Sequence, residues 1–355
     1  MRINYDNGYY IGDVSGNTRH GRGTYYWNNG NTYTGDWVNG DRTGYGKFTW
    51  AEAQWRGDSY EGYFYKGNRH GKGTYRWANG NVYYGDWDNG ERTGYGKFTW
   101  AEAQWRGDVY EGYFYKGNRH GHGRYVWANG NVYDGDWKNG NRTGYGKFIW
   151  NEQKWRGDSY EGEFNDGYRN GMGTYRWNNG NVYVGEWVKG ERCGFGKFTW
   201  QNGDVHIGEW RDSNRNGYGR LVLASGEVYV GFWKDDKRHG FGKNSWPSGS
   251  VFEGDWVNGV RTGHGKYVWG DGGCYIGEWL ENNRNGVGQM TWGRGQWEGD
   301  VYIGEWKNNA RHGKGKYTYS DGEVLDGFWE NGTFIEYDPS SRPTRRKMLN
   351  LPDDD

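Results

Sequence analysis

A motif of 23 or 27 residues recurs along almost the whole chain of 355 residues, and it constrains the fold more than any other feature. With the tyrosine of the segment Tyr33-Thr34-Gly35-Asp36-Trp37 as an anchor, fourteen units can be aligned. Nine of the steps between anchors are 23 residues long and four are 27 residues long. The anchors are Tyr10, Tyr33, Tyr60, Tyr83, Tyr110, Tyr133, Tyr160, Tyr183, His206, Tyr229, Phe252, Tyr275, Tyr302 and Leu325. Such an array is expected to stack one small unit per repeat, each stabilised by its neighbours.

Each unit is predicted to form one β-hairpin. In the unit from Tyr33 to Trp50, two segments alternate with period two and are separated by Asn39-Gly40, a strong hairpin signal. The alternation assigns to one face the residues Tyr33, Gly35, Trp37, Gly44, Gly46, Phe48 and Trp50. Glycine at a fixed place in a strand indicates a close approach, so we expect aromatic rings to lie across strands that lack Cβ atoms.

The composition supports an unusual core. The chain has 68 glycines, 25 tryptophans, 32 tyrosines and 13 phenylalanines, which argues against an aliphatic core wrapped by helices. The 45 basic and 45 acidic residues balance, and the aromatic content of 20% is unlike that of a disordered chain. The predicted fold is therefore all-β, an elongated single-layer antiparallel sheet, rod-like or solenoid-like, made of about fourteen stacked hairpins.

Three regions are predicted along the chain. Residues 1–8 form an N-terminal cap, residues 9–333 form the rod, and residues 334–355 contain a strand remnant and a disordered tail. The tail carries a basic cluster that is interpreted either as a docking motif or as a solvated end. This cluster consists of Arg342, Arg345, Arg346 and Lys347.

Charge and hydropathy exclude several classes of function. The formal net charge is zero, so bulk electrostatics give no reason to expect a nucleic acid as partner. Two cysteines are too few for a disulfide framework, and no apolar run is long enough for a signal peptide or a transmembrane helix. We expect a cytoplasmic protein, with the periphery of the cytoskeleton or of a membrane as further locations.

The repeat pattern resembles a known family. The spacing Tyr-x-Gly-x-Trp-x-x-Gly-x-x-x-Gly-x-Gly, as in Tyr83 to Gly96, is similar to the MORN (membrane occupation and recognition nexus) repeat and covers about residues 9 to 333. The resemblance implies a straight or gently twisted rod of hairpins, commonly a scaffold or adaptor, often dimeric, with a link to phospholipids. Four departures stand out: His206 and Phe252 replace the anchor tyrosine, Asn244 replaces an aromatic residue, and Leu325 opens a degenerate last unit.

An arginine follows the anchor by nine residues in thirteen units, the most regular charge in the chain. One interpretation is a ladder of guanidinium groups that binds phosphates or carboxylates, with candidate anion- or lipid-binding residues Arg42, Arg92, Arg142 and Arg192. The favoured interpretation is structural, with each arginine stacked on a ring or bound to the carbonyl groups of a hairpin loop. A second charge pattern, Asp36 with Lys47 and its equivalents, predicts cross-strand ion pairs on the polar face.

The four longer connections each contain a tryptophan, and these are the preferred candidates for a partner-binding surface: Trp55, Trp105, Trp155 and Trp297. The alternative is that each ring folds back over its own hairpin. The recurring segment Arg56-Gly57-Asp58 suggests integrin-type adhesion, but the fourth connection keeps only Trp, Gly and Asp, which favours a Trp-x-Gly-Asp turn.

No catalytic, cofactor-binding or metal-binding constellation is predicted. The Gly-x-Gly pairs are not followed by a helix, as a phosphate-binding loop requires, and the histidines occupy a tolerant loop position. The chain is therefore predicted to be a non-catalytic scaffold or adaptor that binds unidentified protein partners and assembles as a homodimer. The alternatives are a peripheral membrane module that binds anionic phospholipid through the arginines, and a regulatory array for a partner enzyme.

Overall fold

The computed structural model describes residues 1–337, and every regular element in that range is a β-strand. The predicted all-β class, built from antiparallel hairpins, is confirmed. The chain divides into two compact units, one formed by Met1–Asn179 with Trp187–Gly190 and the other by Gly180–Glu186 with Glu191–Asp355. The basic cluster predicted between Arg342 and Lys347, and the tail around it, lie outside the described residues.

The first unit contains fifteen complete strands. They are β1 Arg2–Tyr5, β2 Gly8–Ser15, β3 Thr18–Trp27, β4 Thr32–Val38, β5 Asp41–Thr49, β6 Ser59–Tyr65, β7 Asn68–Arg76, β8 Val82–Asp88, β9 Glu91–Thr99, β10 Val109–Tyr115, β11 Asn118–Val126, β12 Val132–Lys138, β13 Asn141–Ile149, β14 Ser159–Asn165 and β15 Tyr168–Arg176. Strand β16, Val182–Val188, has residues in both units.

The second unit contains thirteen complete strands. They are β17 Glu191–Thr199, β18 Val205–Arg211, β19 Asn214–Val222, β20 Val228–Lys234, β21 Lys237–Ser245, β22 Val251–Val257, β23 Val260–Val268, β24 Cys274–Leu280, β25 Asn283–Thr291, β26 Val301–Lys307, β27 Ala310–Thr318, β28 Val324–Glu330 and β29 Thr333–Tyr337. Within each unit, each strand pairs antiparallel with the next strand along the chain, as between β4 and β5 or between β22 and β23.

The hairpin turns follow from the local sequence. Asn39 and Gly40 both have positive φ values, 51° and 90°, as a two-residue turn of type I′ requires. In the hairpin of β4 and β5, Tyr33 pairs with Phe48 and Gly35 with Gly46. A β-bulge after Gly35 then shifts the register before the turn, which is a device that bends a strand and increases its twist.

The two faces of the hairpins have the composition predicted from the alternation. Tyr33, Trp37 and Phe48 are buried on one face, whereas Thr34 and Lys47 are exposed on the other. The core is therefore a layer of aromatic rings on one side of the sheet. The layer recurs from repeat to repeat along the chain. In the second compact unit it includes Trp233, Phe252, Tyr275 and Trp306.

Paired glycines provide the space for these rings, as predicted. A Cβ atom on Gly46 would lie 2.3 Å from the phenol oxygen of Tyr33, and one on Gly35 would lie 2.6 Å from it. Gly44 has a different role from the one predicted. Its φ is +106°, and a Cβ atom there would meet the carboxylate of Asp36 rather than a ring. Gly44 thus serves the bulge, not the aromatic layer.

The predicted ion pair of Asp36 with Lys47 is wrong, because the register places Thr34, not Asp36, opposite Lys47. The Asp36 carboxylate instead accepts a hydrogen bond of 2.8 Å from the backbone N–H of Tyr45, next to the bulge. The same bond joins Asp86 to the N–H of Tyr95. The acidic residue three positions after the anchor therefore accepts a hydrogen bond from a backbone N–H of its own hairpin. It also forms an ion pair with the preceding hairpin, as Asp36 does with Arg22 at 3.5 Å.

Candidate functional site

The aromatic layer holds neighbouring hairpins together through two kinds of contact. The ring of Trp37 packs edge-on against Tyr33 of its own hairpin and Tyr10 of the preceding one, with centroid distances of 5.1 and 5.5 Å. Its indole N–H donates to the carbonyl oxygen of Gly23 at 3.1 Å. The Tyr33 hydroxyl donates to the carbonyl oxygen of Asp36, and burial raises the pKa of this phenol well above its usual value. At Tyr33 and Trp37, the polar atoms of the buried rings are therefore hydrogen-bonded to backbone carbonyl groups.

Most ladder arginines link their hairpin to the turn of the next hairpin, as Arg42 does. Nη2 of Arg42 donates to the carbonyl oxygen of Gly67 at 2.7 Å, and the N–H of Gly67 donates back to the Arg42 carbonyl at 3.0 Å. The guanidinium of Arg42 also lies over the rings of Phe48 and Phe64, with distances of 4.9 and 5.4 Å to their centroids. The contact therefore combines a charge-assisted hydrogen bond with cation–π stacking.

The other three candidate anion-binding arginines have the same surroundings. Their Nη2 atoms donate to the carbonyl oxygens of Gly117, Gly167 and Ser213 at 2.9, 2.8 and 2.6 Å, from Arg92, Arg142 and Arg192 respectively. Burial lowers the pKa of Arg42, Arg92 and Arg142 below the usual arginine value. The geometry thus gives the ladder a structural role in joining successive hairpins, as the favoured interpretation held.

The long connections expose three tryptophans at regular intervals. Trp55, Trp105 and Trp155 retain 44%, 42% and 40% of their accessible surface, whereas Trp297 is half-buried. Each of these three exposed tryptophans lies in a tight turn. In the first turn, the backbone N–H of Trp55 donates to the carbonyl oxygen of Glu52. Three of the four candidate tryptophans therefore face solvent from fixed backbone positions, all in the first unit.

The aspartate of the Arg-Gly-Asp segment is not available to an external receptor. Asp58 is 4% exposed, and its Oδ2 atom accepts a hydrogen bond of 2.6 Å from the hydroxyl of Tyr75. Its Oδ1 atom accepts from the N–H of Ala78 at 2.8 Å. The Trp-x-Gly-Asp interpretation is confirmed by the turn, since the N–H of Asp58 donates to the carbonyl oxygen of Trp55 at 2.9 Å.

The sequence contains a signal for this buried pair that residue-by-residue reasoning missed. In the four units after a long connection, an aspartate two residues before the anchor occurs with a tyrosine fifteen residues after it. These pairs are Asp58 with Tyr75, Asp108 with Tyr125, Asp158 with Tyr175 and Asp300 with Tyr317, and each is hydrogen-bonded. In the alternating short units of the first half, the same two positions hold asparagine and phenylalanine, as in Asn31 and Phe48. In these units, therefore, aspartate at the earlier position always occurs with tyrosine at the later one, and asparagine always occurs with phenylalanine.

Two of the exposed tryptophans, Trp55 and Trp105, line grooves on the aromatic face. One groove, of about 540 Å³, has the apolar lining residues Trp50, Trp55, Trp77 and Trp87. Basic groups border it at Arg42, Arg69, Arg92 and Lys116, with Glu91 as the acidic residue. A second groove, of about 390 Å³, is lined by residues fifty positions further along, including Trp100, Trp105, Trp127 and Trp137. The first compact unit thus contains two equivalent grooves, each lined by tryptophans and arginines.

Two residues of the second half that depart from the repeat pattern, His206 and Asn244, place buried polar groups in the aromatic layer. His206 is fully buried between Trp210 and Trp233, and neither of its ring nitrogens has a hydrogen-bond partner. Burial lowers its pKa to about 3, so the imidazole is neutral. Asn244 is also fully buried, and both polar atoms of its amide lack a partner.

An ion pair that the other repeats lack lies in the same repeat as Asn244. Nη2 of Arg238 contacts the Glu227 carboxylate at 2.6 Å, whereas the equivalent arginines bind the next turn. The residue equivalent to Glu227 normally accepts a backbone N–H, as Asn31 does from Ala51. In this unit Pro247 occupies the donor position and has no N–H, so the Glu227 carboxylate is free to bind Arg238.

The described residues were also compared with the requirements of a metal site and of a membrane span. Among residues 1–337, no group of three His, Cys, Asp or Glu side chains is placed to hold a metal ion. Over the same range, no helix has the length and apolar character needed to cross a bilayer. Cys193 and Cys274 carry free thiols, and burial raises the pKa of both.

Comparison with known families agrees with the aligned anchors. The model of the MORN repeat matches thirteen consecutive segments between residues 10 and 324, and each segment begins at an anchor residue. The chain belongs to the MORN repeat family. The matched segments end before Leu325, so this last unit is not among the MORN repeats recognised by the model. MORN repeats form protein-binding or membrane-associated modules, and the family is generally non-enzymatic.

Other comparisons give distant similarity only. No curated protein matches the MORN array. Among solved structures, the G-box domain of the microcephaly protein CPAP is 11% identical, with a TM-score of 0.29 over 59% of this chain and 100% of that one. The TCP10 domain of Danio rerio CPAP, in complex with a peptide of STIL, is 11% identical, with a TM-score of 0.22 over 90% and 99% of the two chains.

Proposed function

We propose that the chain is a non-catalytic scaffold that binds a protein partner in the aromatic grooves of its first unit. The observation that carries this proposal is the exposure of Trp55 and Trp105 at two grooves fifty residues apart, with Trp155 exposed at the next equivalent position. Exposed tryptophan is costly on a free surface, and tryptophan is the residue most enriched where binding energy concentrates.

The lining of the grooves defines the chemistry of the partner. Aromatic rings line both grooves, and the groove at Trp55 also has Arg69, Lys116 and two further arginines against the single carboxylate of Glu91. A segment with aromatic or aliphatic side chains and several acidic residues would complement both regions. The Nη2 atoms of the ladder arginines already donate to carbonyl groups of turns. The positive charge that a partner could reach is therefore that of Lys116 and of the exposed edges of the guanidinium groups.

The spacing of the grooves suggests multivalent binding. Fifty residues correspond to four strands, so equivalent tryptophans are separated by about 19 Å at about 4.8 Å per strand. A partner that presents anchors at this interval would engage two or three grooves at once, and the second contact would form at a high effective concentration. Repetition of one surface is what distinguishes a scaffold from a single-site binding protein.

Affinity capture with the full chain tests the proposal. The triple variant Trp55→Ala, Trp105→Ala and Trp155→Ala should lose at least tenfold of the captured partner. A matched control replaces three exposed aromatic residues with the same fifty-residue spacing on the opposite face of the sheet, Tyr45, Tyr95 and Tyr145, by alanine. This control should capture as much partner as the parent chain. Equal capture by the tryptophan variant would overturn the proposal.

The two alternative functions, regulation of a partner enzyme and binding of anionic lipid, predict different results in such an experiment. A regulatory array for an enzyme would bind that enzyme as the captured partner, and an activity assay with and without the array would identify it. Binding of anionic lipid through Arg42 and its equivalents has no separate support, because those guanidinium groups are bonded to the next turn. We therefore propose protein binding as the primary function.

A further inference from the structure

In the second unit, the face opposite the aromatic layer carries a row of exposed rings on strands β17–β21. In strand order they are Phe195, Tyr218, Phe232 and Phe241. Each ring residue is 48–58% exposed. Tyr218 packs edge-on against Phe232 with a centroid distance of 5.5 Å. The proposed function uses none of these rings, because the tryptophan grooves belong to the first unit.

A row of cations runs beside the rings on the same face. In strand order this row consists of Lys197, Ile207, Arg220, Val230 and Lys243. The cations therefore lie on alternate strands, about 10 Å apart at about 4.8 Å per strand, with an aliphatic residue between each two. In the first unit, three repeats have a glutamate at the equivalent of Ile207, and Glu111 contacts Lys97 at 3.8 Å. Of the three cations here, only Lys243 contacts a carboxylate of residues 1–337, that of Glu253 at 3.8 Å.

Carboxylates at the border of this surface limit the shape of a ligand. The ring row contains one, Glu209, which accepts a hydrogen bond of 3.1 Å from the backbone N–H of Tyr218. Others lie on the neighbouring turns and on β22: Asp212, Asp235, Asp236, Glu253 and Asp255. The cations are thus balanced over the wider surface, in agreement with the zero net charge of the chain. A flat bilayer would contact the acidic border together with the cations, whereas a narrow anionic chain can follow the two rows.

A cavity of about 380 Å³ adjoins the ring row at Phe232. Its polar and charged lining residues are Arg211, Asn216, Lys234, Asp235 and His239. The Nδ1 atom of His239 is buried and has no hydrogen-bond partner among residues 1–337. The cavity therefore offers positive charge to a phosphate and polar side chains to a hydroxyl group of the same ligand.

We propose that the ring row, the cation row and the adjoining cavity together bind single-stranded RNA. Exposed rings on a β-sheet stack the unpaired bases of a single strand, and cations beside the rings contact its phosphates. Four rings offer stacking to about four bases, at the lower end of the site sizes of about 4–16 nucleotides found for single-strand binding on sheet folds. The polar groups of the cavity favour RNA over DNA, because the 2′-hydroxyl is the group that distinguishes the two.

Fluorescence anisotropy of a labelled single-stranded RNA of twelve nucleotides, titrated with the full chain, tests the proposal. The parent chain should bind the RNA, and the logarithm of its affinity should fall with the logarithm of salt concentration with a slope of about −2, as expected for three phosphate contacts. Phe195→Ala with Phe241→Ala should weaken binding at least tenfold, because two stacking platforms are lost. Lys197→Glu with Arg220→Glu should also weaken binding at least tenfold and should make the slope shallower than about −1.

Matched controls come from equivalent positions on the same face of the first unit. Tyr95→Ala with Tyr145→Ala, and Lys97→Glu with Lys147→Glu, should bind RNA as the parent does. These tyrosines are exposed like the rings of the second unit, but the lysines contact glutamates. Circular dichroism of each variant should show the parent spectrum, because all the substituted side chains are exposed.

Three results would overturn the proposal. The first is an RNA affinity too weak to detect at 100 μM chain, or one that the ring and cation variants leave unchanged. The second is equal affinity for duplex RNA or for single-stranded DNA of the same sequence. The third is displacement of the RNA by polyglutamate or by anionic vesicles at matched charge, which would assign the surface to an acidic protein segment or to a membrane. The triple tryptophan variant of the grooves should bind RNA as the parent does, so either proposal can fail without the other.

Discussion

The phenol oxygen of Tyr33 lies 2.3 Å from the position that a Cβ atom on Gly46 would occupy. The tyrosine is fully buried, so it has no space into which it could move. This relationship between an anchor ring and a glycine on the paired strand recurs along the array, as in Tyr83 with Gly96 and Tyr133 with Gly146. The stability of each hairpin therefore depends on the absence of a single methyl group.

Gly46→Ala is expected to destabilise the first unit by about 1–3 kcal/mol, because the new methyl group overpacks the layer beneath Tyr33. Urea unfolding followed by tryptophan fluorescence would measure the change. In a Tyr33→Ala background the ring is gone, so adding Gly46→Ala should cost much less. If the glycine substitution were equally harmful in both backgrounds, the steric explanation would be wrong.

Tyr75→Phe should destabilise the chain by about 1–3 kcal/mol, because the buried Oδ2 atom of Asp58 loses its hydroxyl donor. Adding Asp58→Asn recreates the combination found in Asn31 and Phe48, so the double variant should be more stable than Tyr75→Phe alone. A double-mutant cycle in urea would quantify the coupling. Independent, additive effects would contradict the pairing inferred from the structure.

His206 is expected to make the second unit sensitive to acid. Its pKa is lowered to about 3 in the folded chain, below the usual value of about 6.5. Between these two values the unfolded state binds a proton that the folded state does not, so stability falls as the pH falls through this window. His206→Tyr restores the anchor residue type and should flatten the dependence between about pH 7 and pH 4. An unchanged pH profile in urea unfolding would count against a buried neutral imidazole.

Vesicles that contain anionic lipid should not retain the chain more than neutral vesicles do at physiological salt. The reason is that Arg42, Arg92, Arg142 and Arg192 already donate to turn carbonyl groups and stack on rings. Flotation of the full chain with the two kinds of vesicle provides the measurement. Salt-sensitive binding to anionic vesicles alone would show that the ladder or its neighbours also recognise headgroups.

The repeat made the main features of the fold predictable. Asn39-Gly40 predicted the turn, alternation predicted the two faces, and recurrent glycine predicted the space for Tyr33. These features are local to one hairpin or to adjacent strands, and fourteen copies reinforced each pattern. The structural role favoured for the arginines also agrees with the geometry, although the turn that each one binds belongs to the next unit.

Features that depend on the register between strands were harder to predict. The sequence spacing suggested that Asp36 pairs with Lys47, but the register puts Thr34 opposite Lys47 and leaves Asp36 at the bulge. Gly44 was grouped with the ring-bearing face for the same reason. The bond from Tyr75 to Asp58 joins residues that are seventeen positions apart across a connection, and only comparison between units could have indicated it.

The central claim is that a partner covers the exposed tryptophans of the grooves, and radical footprinting of the complex tests it most directly. When the captured partner is added to the full chain, Trp55, Trp105 and Trp155 should become several-fold less reactive toward hydroxyl radicals, because their accessible surface is buried. Tyr45, Tyr95 and Tyr145, which are exposed on the opposite face of the sheet, should react as they do in the free chain. Unchanged labelling of the three tryptophans in a saturated complex would contradict the claim.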